Sequence, residues 1–254
     1  MPPLPPPDVP PHGLLAGRTV VVTAAAGAGI GLATARRCVA EGASVLISDA
    51  HERRLQEAAS QLDVPYAVCD VTDEAQVQHL FDTALEQLGH LDVLVNNAGL
   101  GGTAPLVEMT DEQWGKVLDV TLTGTFRCTR AALRLMLPRG AGVIVNNASV
   151  LGWRAQPGQA HYAAAKAGVM ALTRCAALEA APYGVRVNAV SPSLAMHPFL
   201  AKVIDEQVLE ELREREAYGR GADPAEVANV IVFLASDYSS YMTGEVVSVS
   251  SQHP

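Results

Sequence analysis

Thr19-Val20-Val21-Val22-Thr23-Ala24-Ala25-Ala26-Gly27-Ala28-Gly29-Ile30-Gly31 is the stretch on which the fold turns. The β-branched run at its start suits a strand buried on both faces. The small-residue loop that follows leaves room for a close approach to the backbone. A helix is expected from about Ile30 to Glu41, stopped by Gly42. Strand, glycine loop and helix form the first half of a β-α-β unit, and the helix start offers unpaired N–H groups that suit a pyrophosphate.

Working outward, the same alternation continues. Strands are expected at Ser44–Ser48, Tyr66–Cys69, Leu91–Asn96, Gly142–Asn147, Val185–Val190 and Glu245–Val249. Helices are expected near His51–Leu62, Asp73–Leu88, Asp111–Leu137 and Gln159–Ala181, then Phe199–Glu216 and Pro224–Ser236. This pattern predicts an α/β fold: a doubly wound parallel sheet of about seven strands with helices on both faces. No composition break divides residues 14–254, which read as one dinucleotide-binding and catalytic domain. Residues 1–13 are proline-rich and read as a flexible arm without a role in the chemistry.

Composition narrows the function. The formal charge of −9 argues against a nucleic-acid surface. No apolar run approaches the length of a membrane span, and the start lacks the features of a signal peptide. Cys38, Cys69, Cys128 and Cys175 are widely spaced, which reads as reduced thiols in a cytoplasmic protein. The histidines show no metal-ligand spacing, so no metal is expected.

Ligands of such sheets bind beyond the carboxyl ends of the strands, where the chemistry-bearing residues of this chain fall. Asp49 ends the second strand, 18 residues past Gly31. A carboxylate there can accept both ribose hydroxyls of an adenosine and repel a 2′-phosphate, which favours NAD over NADP. Arg53 and Arg54 read as helix-surface residues. Asp70 is either an adenine contact or a turn residue, and Asn96-Asn97-Ala98-Gly99 either leaves room for the cofactor or makes a turn.

Ser149 follows the fifth strand, thirteen residues before Tyr162. Tyr162 and Lys166 stand four apart in an alanine-rich helix, so they share a face. A cation one turn from a phenol is expected to lower its pKa from about 10 and make it a proton-transfer group.

With these residues in place, the chain resembles a short-chain dehydrogenase/reductase from about Leu14 to Ser248. The resemblance rests on Asn96-Asn97-Ala98-Gly99, the Ser149/Tyr162/Lys166 set and Arg186-Val187-Asn188-Ala189-Val190-Ser191-Pro192. It implies a Rossmann sheet and a hydride transfer between NAD(H) and a secondary alcohol or ketone. Tyr162 would be the acid or base, and Ser149 would polarise the substrate oxygen. Lys166 would hold the nicotinamide ribose and lower the phenol's pKa. Around the cofactor, the resemblance implies Gly27, Gly29, Ile30 and Gly31 at the phosphates and Asp49, Asp70 and Val71 at the adenosine. Asn97, Ala98, Gly99, Pro192 and Ala195 would lie along the remainder. A homotetramer is also implied.

The chain departs from the family at three points. Alanines fill Ala24 to Ala26 of the phosphate loop, with one extra residue before Gly31. Thr121 stands where an asparagine commonly kinks the long helix and holds a relay water, and its one hydroxyl is a catalytic candidate that could hold such a water instead. Pro192-Ser193 replaces Pro-Gly, and His197 replaces a threonine.

The substrate side is expected to involve Trp153, Arg154 and Gln156, with Gly101-Gly102 and the stretch from Leu194 to Gly221. Trp153 and Arg154 serve equally well as packing or subunit contacts. Lys202–Arg215 reads as an amphipathic helix with Val203, Ile204, Val208 and Leu212 on one side, either covering the substrate or simply packed. Asn147–Gln156 and the tail Ser248–Pro254 are similar to a subgroup acting on indane-type CoA thioesters from steroid ring breakdown. That likeness implies a bulky cyclic hydroxyacyl-CoA or ketoacyl-CoA. The alternatives are a fatty 3-oxoacyl thioester reductase and a catalytically silent dinucleotide-sensing scaffold.

Overall fold

Successive side chains of a strand point to opposite faces, and the two halves of the core follow from that alternation. The computed structural model describes residues 5–196 and 206–251. His197, Lys202, Val203 and Ile204, the start of the expected helix at Phe199, and the tail residues Gln252, His253 and Pro254 lie outside the described residues.

Seven strands form one parallel sheet: β1 (Thr19–Val22), β2 (Ser44–Asp49), β3 (Tyr66–Val68), β4 (Val93–Asn96), β5 (Gly142–Asn147), β6 (Val185–Pro192) and β7 (Val246–Val249). Their order is β3-β2-β1-β4-β5-β6-β7, with the order reversing between β1 and β4. The helices are α1 (Ile30–Ala40), α2 (Glu52–Leu62), α3 (Glu74–Leu88), α4 (Asp111–Leu118), α5 (Gly124–Met136), α6 (Ala160–Ala180), α7 (Glu206–Glu214) and α8 (Pro224–Ala235). Val20, Val22, Val45, Ile47, Val93 and Val95 face Cys38 of α1, Leu55 of α2 and Ile231 of α8. Val21, Leu46, Leu94 and Ile144 face the other way, onto Phe81 of α3, Met136 of α5 and Ala177 of α6. Burial on both faces is why these strands read as continuous apolar runs.

The sequence reading misses in one place. The helix expected over Asp111–Leu137 is three pieces, because a π-helical turn, Asp119–Thr123, separates α4 from α5. Such a turn inserts one residue into the helical repeat and is invisible to a 3.6-residue pattern. The proline-rich start is extended where described, and its end is tied down. Arg37 donates to the Val9 and Pro10 carbonyls, and the buried Glu41 carboxylate accepts the His12 and Leu14 N–H groups, each at 2.9 Å.

Cys38, Cys69 and Cys128 are buried free thiols, while Cys175 is an exposed one. Burial pushes the Cys38 and Cys69 thiols up to about 12. Among the described residues, no helix is long and apolar enough to cross a membrane.

Candidate active site

A cleft of about 940 Å³ opens at the carboxyl ends of the strands. One end is built by the β1–α1 loop. Gly29 caps α1 without any side-chain hydrogen bond, so the first-turn N–H groups are left for a ligand. Gly27, Gly29, Ile30 and Gly31 all line the cleft there. A Cβ at Gly31 would strike the Ala24 carbonyl oxygen and come within 2.5 Å of the Asn97 amide nitrogen.

Ala24 itself has φ +51°, in the left-handed region where an alanine is strained. Asn97 holds it there, its Nδ2 donating to the Ala24 carbonyl at 3.0 Å. Asn147 Nδ2 donates in turn to Asn97 Oδ1 at 2.9 Å. The Thr23 hydroxyl accepts the N–H groups of Asn97 and Ala98. The altered phosphate loop is thus braced across β1, β4 and β5.

Asp49 lines the cleft at the end of β2 and braces the loop as well, accepting the Ala26 N–H at 3.2 Å and the His51 N–H at 2.9 Å. Arg54 also lines the cleft, which corrects its reading as a helix-surface residue. It sits in the first turn of α2, and that turn starts just beyond the carboxyl end of β2. Arg53 does face outward, onto Glu57.

Asp70, Val71 and Ala98 are not brought to the cleft wall. One Asp70 oxygen accepts the Thr72 N–H and hydroxyl at 2.9 and 2.8 Å, so this carboxylate closes a turn. Val71 is buried against Gly124 at the start of α5. Asn97, Gly99, Pro192 and Ala195 do line the cleft.

At the other end stand Ser149, Tyr162 and Lys166. Ser149 leaves β5 and caps the short 3-10 turn Val150–Gly152. Its hydroxyl acts on the Tyr162 phenol, lowering that group's pKa, and both side chains line the cleft. Lys166 is buried and donates to the Asn147 carbonyl at 2.5 Å.

The expectation of a lowered phenol pKa does not hold here. Burial pushes the Tyr162 phenol up, and the Ser149 hydrogen bond offsets only part of that. Lys166 Nζ lies 5.6 Å from the Tyr162 ring centroid and donates to a backbone carbonyl instead of the phenol oxygen. Burial also pushes Lys166 down, to about 8. Desolvation disfavours both charged forms.

Thr121 is fully buried in the π turn and does not line the cleft. Its hydroxyl accepts the Leu100 N–H at 3.0 Å and donates to the Leu100 carbonyl at 3.3 Å. Its donor hydrogen is committed to that backbone, so it shapes the loop after β4 and is not placed to pass protons. On the substrate side, Arg154 and Gln156 line the cleft, whereas Trp153 is half exposed outside it. Leu212 of α7 lines the cleft with Glu214 and Arg215, and Ser193 and Leu194 face it from the loop after β6. Glu214 and Arg215 fall within the Leu194–Gly221 stretch expected on the substrate side, and Ser193 is the serine that stands in place of glycine after Pro192.

Comparison with known proteins agrees with this geometry. A family model described as Enoyl-(Acyl carrier protein) reductase matches residues 24–251. A Mycobacterium tuberculosis protein named (5R,7aS)-5-hydroxy-7a-methyl-1-oxo-2,3,5,6,7,7a-hexahydro-1H-indene-carboxyl-CoA reductase is 64% identical over 257 residues, covering 98% of each chain. A 3-oxoacyl-[acyl-carrier-protein] reductase of Thermotoga maritima is 40% identical over 92% of this chain and 97% of its own. The crystal structure of a short chain dehydrogenase from Mycobacterium smegmatis superposes with a TM-score of 0.87 at 58% identity, covering 98% of both chains. With the seven-stranded parallel sheet, Ser149, Tyr162 and Lys166 on one cleft wall and these matches together, the chain belongs to the short-chain dehydrogenase/reductase family of oxidoreductases, which use nicotinamide dinucleotide cofactors.

Proposed function

We propose that this protein is an NAD-linked oxidoreductase that interconverts a secondary alcohol and a ketone on a bulky cyclic acyl-CoA. The meeting of Ser149, Tyr162 and Lys166 on the wall of one cleft carries the proposal. When bound, the dinucleotide supplies or takes the hydride. The uncapped start of α1 fits its pyrophosphate, and the Asp49 carboxylate fits ribose hydroxyls.

The residues of the chain do the rest. A substrate carbonyl oxygen sits between the Ser149 and Tyr162 hydroxyls. Ser149 donates a hydrogen bond and polarises the carbonyl. Tyr162 donates its proton to the oxygen as the carbon is reduced. The buried Lys166 holds a positive charge beside the ring and stabilises the phenolate left behind. In the oxidative direction the same phenol oxygen takes the proton from the alcohol.

The substrate class rests on the 64% identity to the indene-carboxyl-CoA reductase, whose named compound carries both a hydroxyl and an oxo group on a fused bicycle. The 3-oxoacyl-type relative stands further away, at 40%. Arg54 beside Asp49 supports a second reading for the cofactor alone, because a guanidinium there suits a 2′-phosphate. A cytoplasmic homotetramer is part of the proposal. The free thiols support the compartment, and the exposed Trp114, Phe126 and Leu178 on α4, α5 and α6 support an assembled form.

The test is NADH and NADPH oxidation over a panel of bicyclic and acyclic ketoacyl-CoA thioesters. Turnover with NADH on the bicyclic members is expected, together with a weaker NADPH rate that rises in Asp49→Ser. A clear preference for NADPH, or for acyclic thioesters, would replace the corresponding half of the proposal.

A further inference from the structure

Glu216 stands two residues past the end of α7 and is buried, at 3% exposure. It does not line the cleft. A buried carboxylate is a costly way to fill space, so its partners matter. One oxygen accepts the Leu194 N–H at 3.3 Å, and the other accepts the Ser251 hydroxyl at 2.8 Å. The Ala217 N–H also donates to the Ser251 carbonyl at 2.9 Å. Three segments therefore converge on one side chain: the loop after β6, the foot of α7 and the end of the described chain.

Two of these segments carry the cleft wall. Ser193, Leu194 and Ala195 line it from the loop, and Leu212, Glu214 and Arg215 line it from α7. Backbone pairing joins the loop to the chain beyond Glu216, since Met196 N–H donates to the Ala222 carbonyl and Ala222 N–H to that of Leu194, both at 2.8 Å. That pairing fixes the loop relative to Ala222, while the foot of α7 is tied to the chain end by the Ala217–Ser251 backbone bond and to both the loop and the chain end by the Glu216 side chain. We infer that Glu216 is a positioning residue: its carboxylate, braced by Ser251, sets the spacing between the Ser193–Ala195 loop and the foot of α7, and so the width of the substrate end of the cleft.

The inference rests on the proposed reaction for its kinetic arm only. With acetoacetyl-CoA and NADH as probes, Glu216→Ala is expected to raise KM for the thioester about tenfold, with kcat and the NADH dissociation constant changed by less than about twofold. Amide exchange at Leu194 and Ala217 is expected to quicken in the same variant. Glu216→Gln keeps an acceptor for Leu194 and a donor for the Ser251 oxygen, and it should restore both readouts. If Glu216→Ala fails to fold, Ser251→Ala removes one hydrogen bond at a half-buried position and should raise KM about threefold.

Unchanged KM and exchange in Glu216→Ala, or a Gln variant as impaired as the Ala variant, would overturn the assignment. So would an unchanged KM in Ser251→Ala. Absence of turnover in the unaltered protein would mean only that this acyclic thioester is not its substrate. The exchange at Leu194 would still decide the tie, since it needs no substrate.

Discussion

The two edges of the sheet treat polar groups in opposite ways. At the amino-terminal edge, Asp92 sits just before β4 with little exposure, and it is fully partnered. It accepts the Thr19 N–H at 3.0 Å, the Arg139 guanidinium at 2.9 Å and His90 Nε2 at 3.0 Å. Arg186, near the start of β6, likewise donates to the Leu234 and Ser236 carbonyls and to Ser239. At the carboxyl-terminal edge, buried polar atoms stand without protein partners: Asn147 Oδ1, Ser191 Oγ, Ser193 Oγ and, beside Tyr162, His161 Nδ1. Lys166 is buried with a depressed pKa, and Ala24 is held in a strained backbone region. One edge is organised for stability. The other carries costs that a bound ligand can offset, as functional sites commonly do.

Four variants probe that contrast, from the largest expected effect to the smallest. Tyr162→Phe should lower kcat by about a thousandfold or more, equivalent to about 4 kcal/mol, with an unchanged melting temperature and retained NADH binding. A rate within tenfold of the parent protein would remove Tyr162 from the chemistry.

Asp92→Ala should do the reverse. Losing a buried carboxylate that serves a guanidinium and backbone N–H groups costs about 3 kcal/mol, readable in urea melts, while kcat/KM at low denaturant stays near the parent value. The acid dependence has a definite sign. Burial raises the Asp92 pKa, but Arg139, the Thr19 N–H and His90 outweigh burial and hold it below the usual carboxylate range. Its contribution is therefore complete above that range and lost as the pH falls through the folded value. The parent protein should lose stability on acidification, and Asp92→Ala should lose less.

Lys166→Met sets the two edges against each other. The folded pKa of about 8 lies below the ordinary value of 10.5, so the unfolded chain binds the extra proton between those values. Stability of the parent protein should then rise as pH rises from about 8 to about 10.5. Removing the ammonium should stabilise the protein at pH 7 by about 1–3 kcal/mol and flatten that rise, at the expense of turnover. A variant less stable than its parent would mean that the bond to the Asn147 carbonyl outweighs desolvation. Ala24→Gly should relieve left-handed strain and stabilise by about 0.5–1 kcal/mol, a shift of a few degrees in thermal melts. A drop in stability would mean that Asn97 holds the loop without strain.

How far the sequence could be read differs between these edges for physical reasons. The strands, most helix bounds and the Ser149/Tyr162/Lys166 set were legible, because hydrophobic runs, glycine stops and a four-residue helical spacing are local signals. Arg54 was misread, because whether a first-turn helix residue faces solvent or a strand end depends on how the helix docks. Asp70 and Val71 fell outside the cleft for the same reason. The sign of the Tyr162 shift was also misjudged, since spacing reveals the neighbouring charge but says nothing of burial.

Sequence by itself determined the parallel sheet, the glycine-lined start of α1 and the order of Ser149, Tyr162 and Lys166 along the chain, all of which follow from residue periodicity and backbone freedom. Only the tertiary structure decided which polar groups lose water and which find partners. It turned Lys166 toward the Asn147 carbonyl, committed the Thr121 hydroxyl to Leu100, and brought Glu216 between Leu194 and Ser251. Desolvation and hydrogen-bond partnership across distant segments are properties of the packed chain, and no local stretch of residues encodes them.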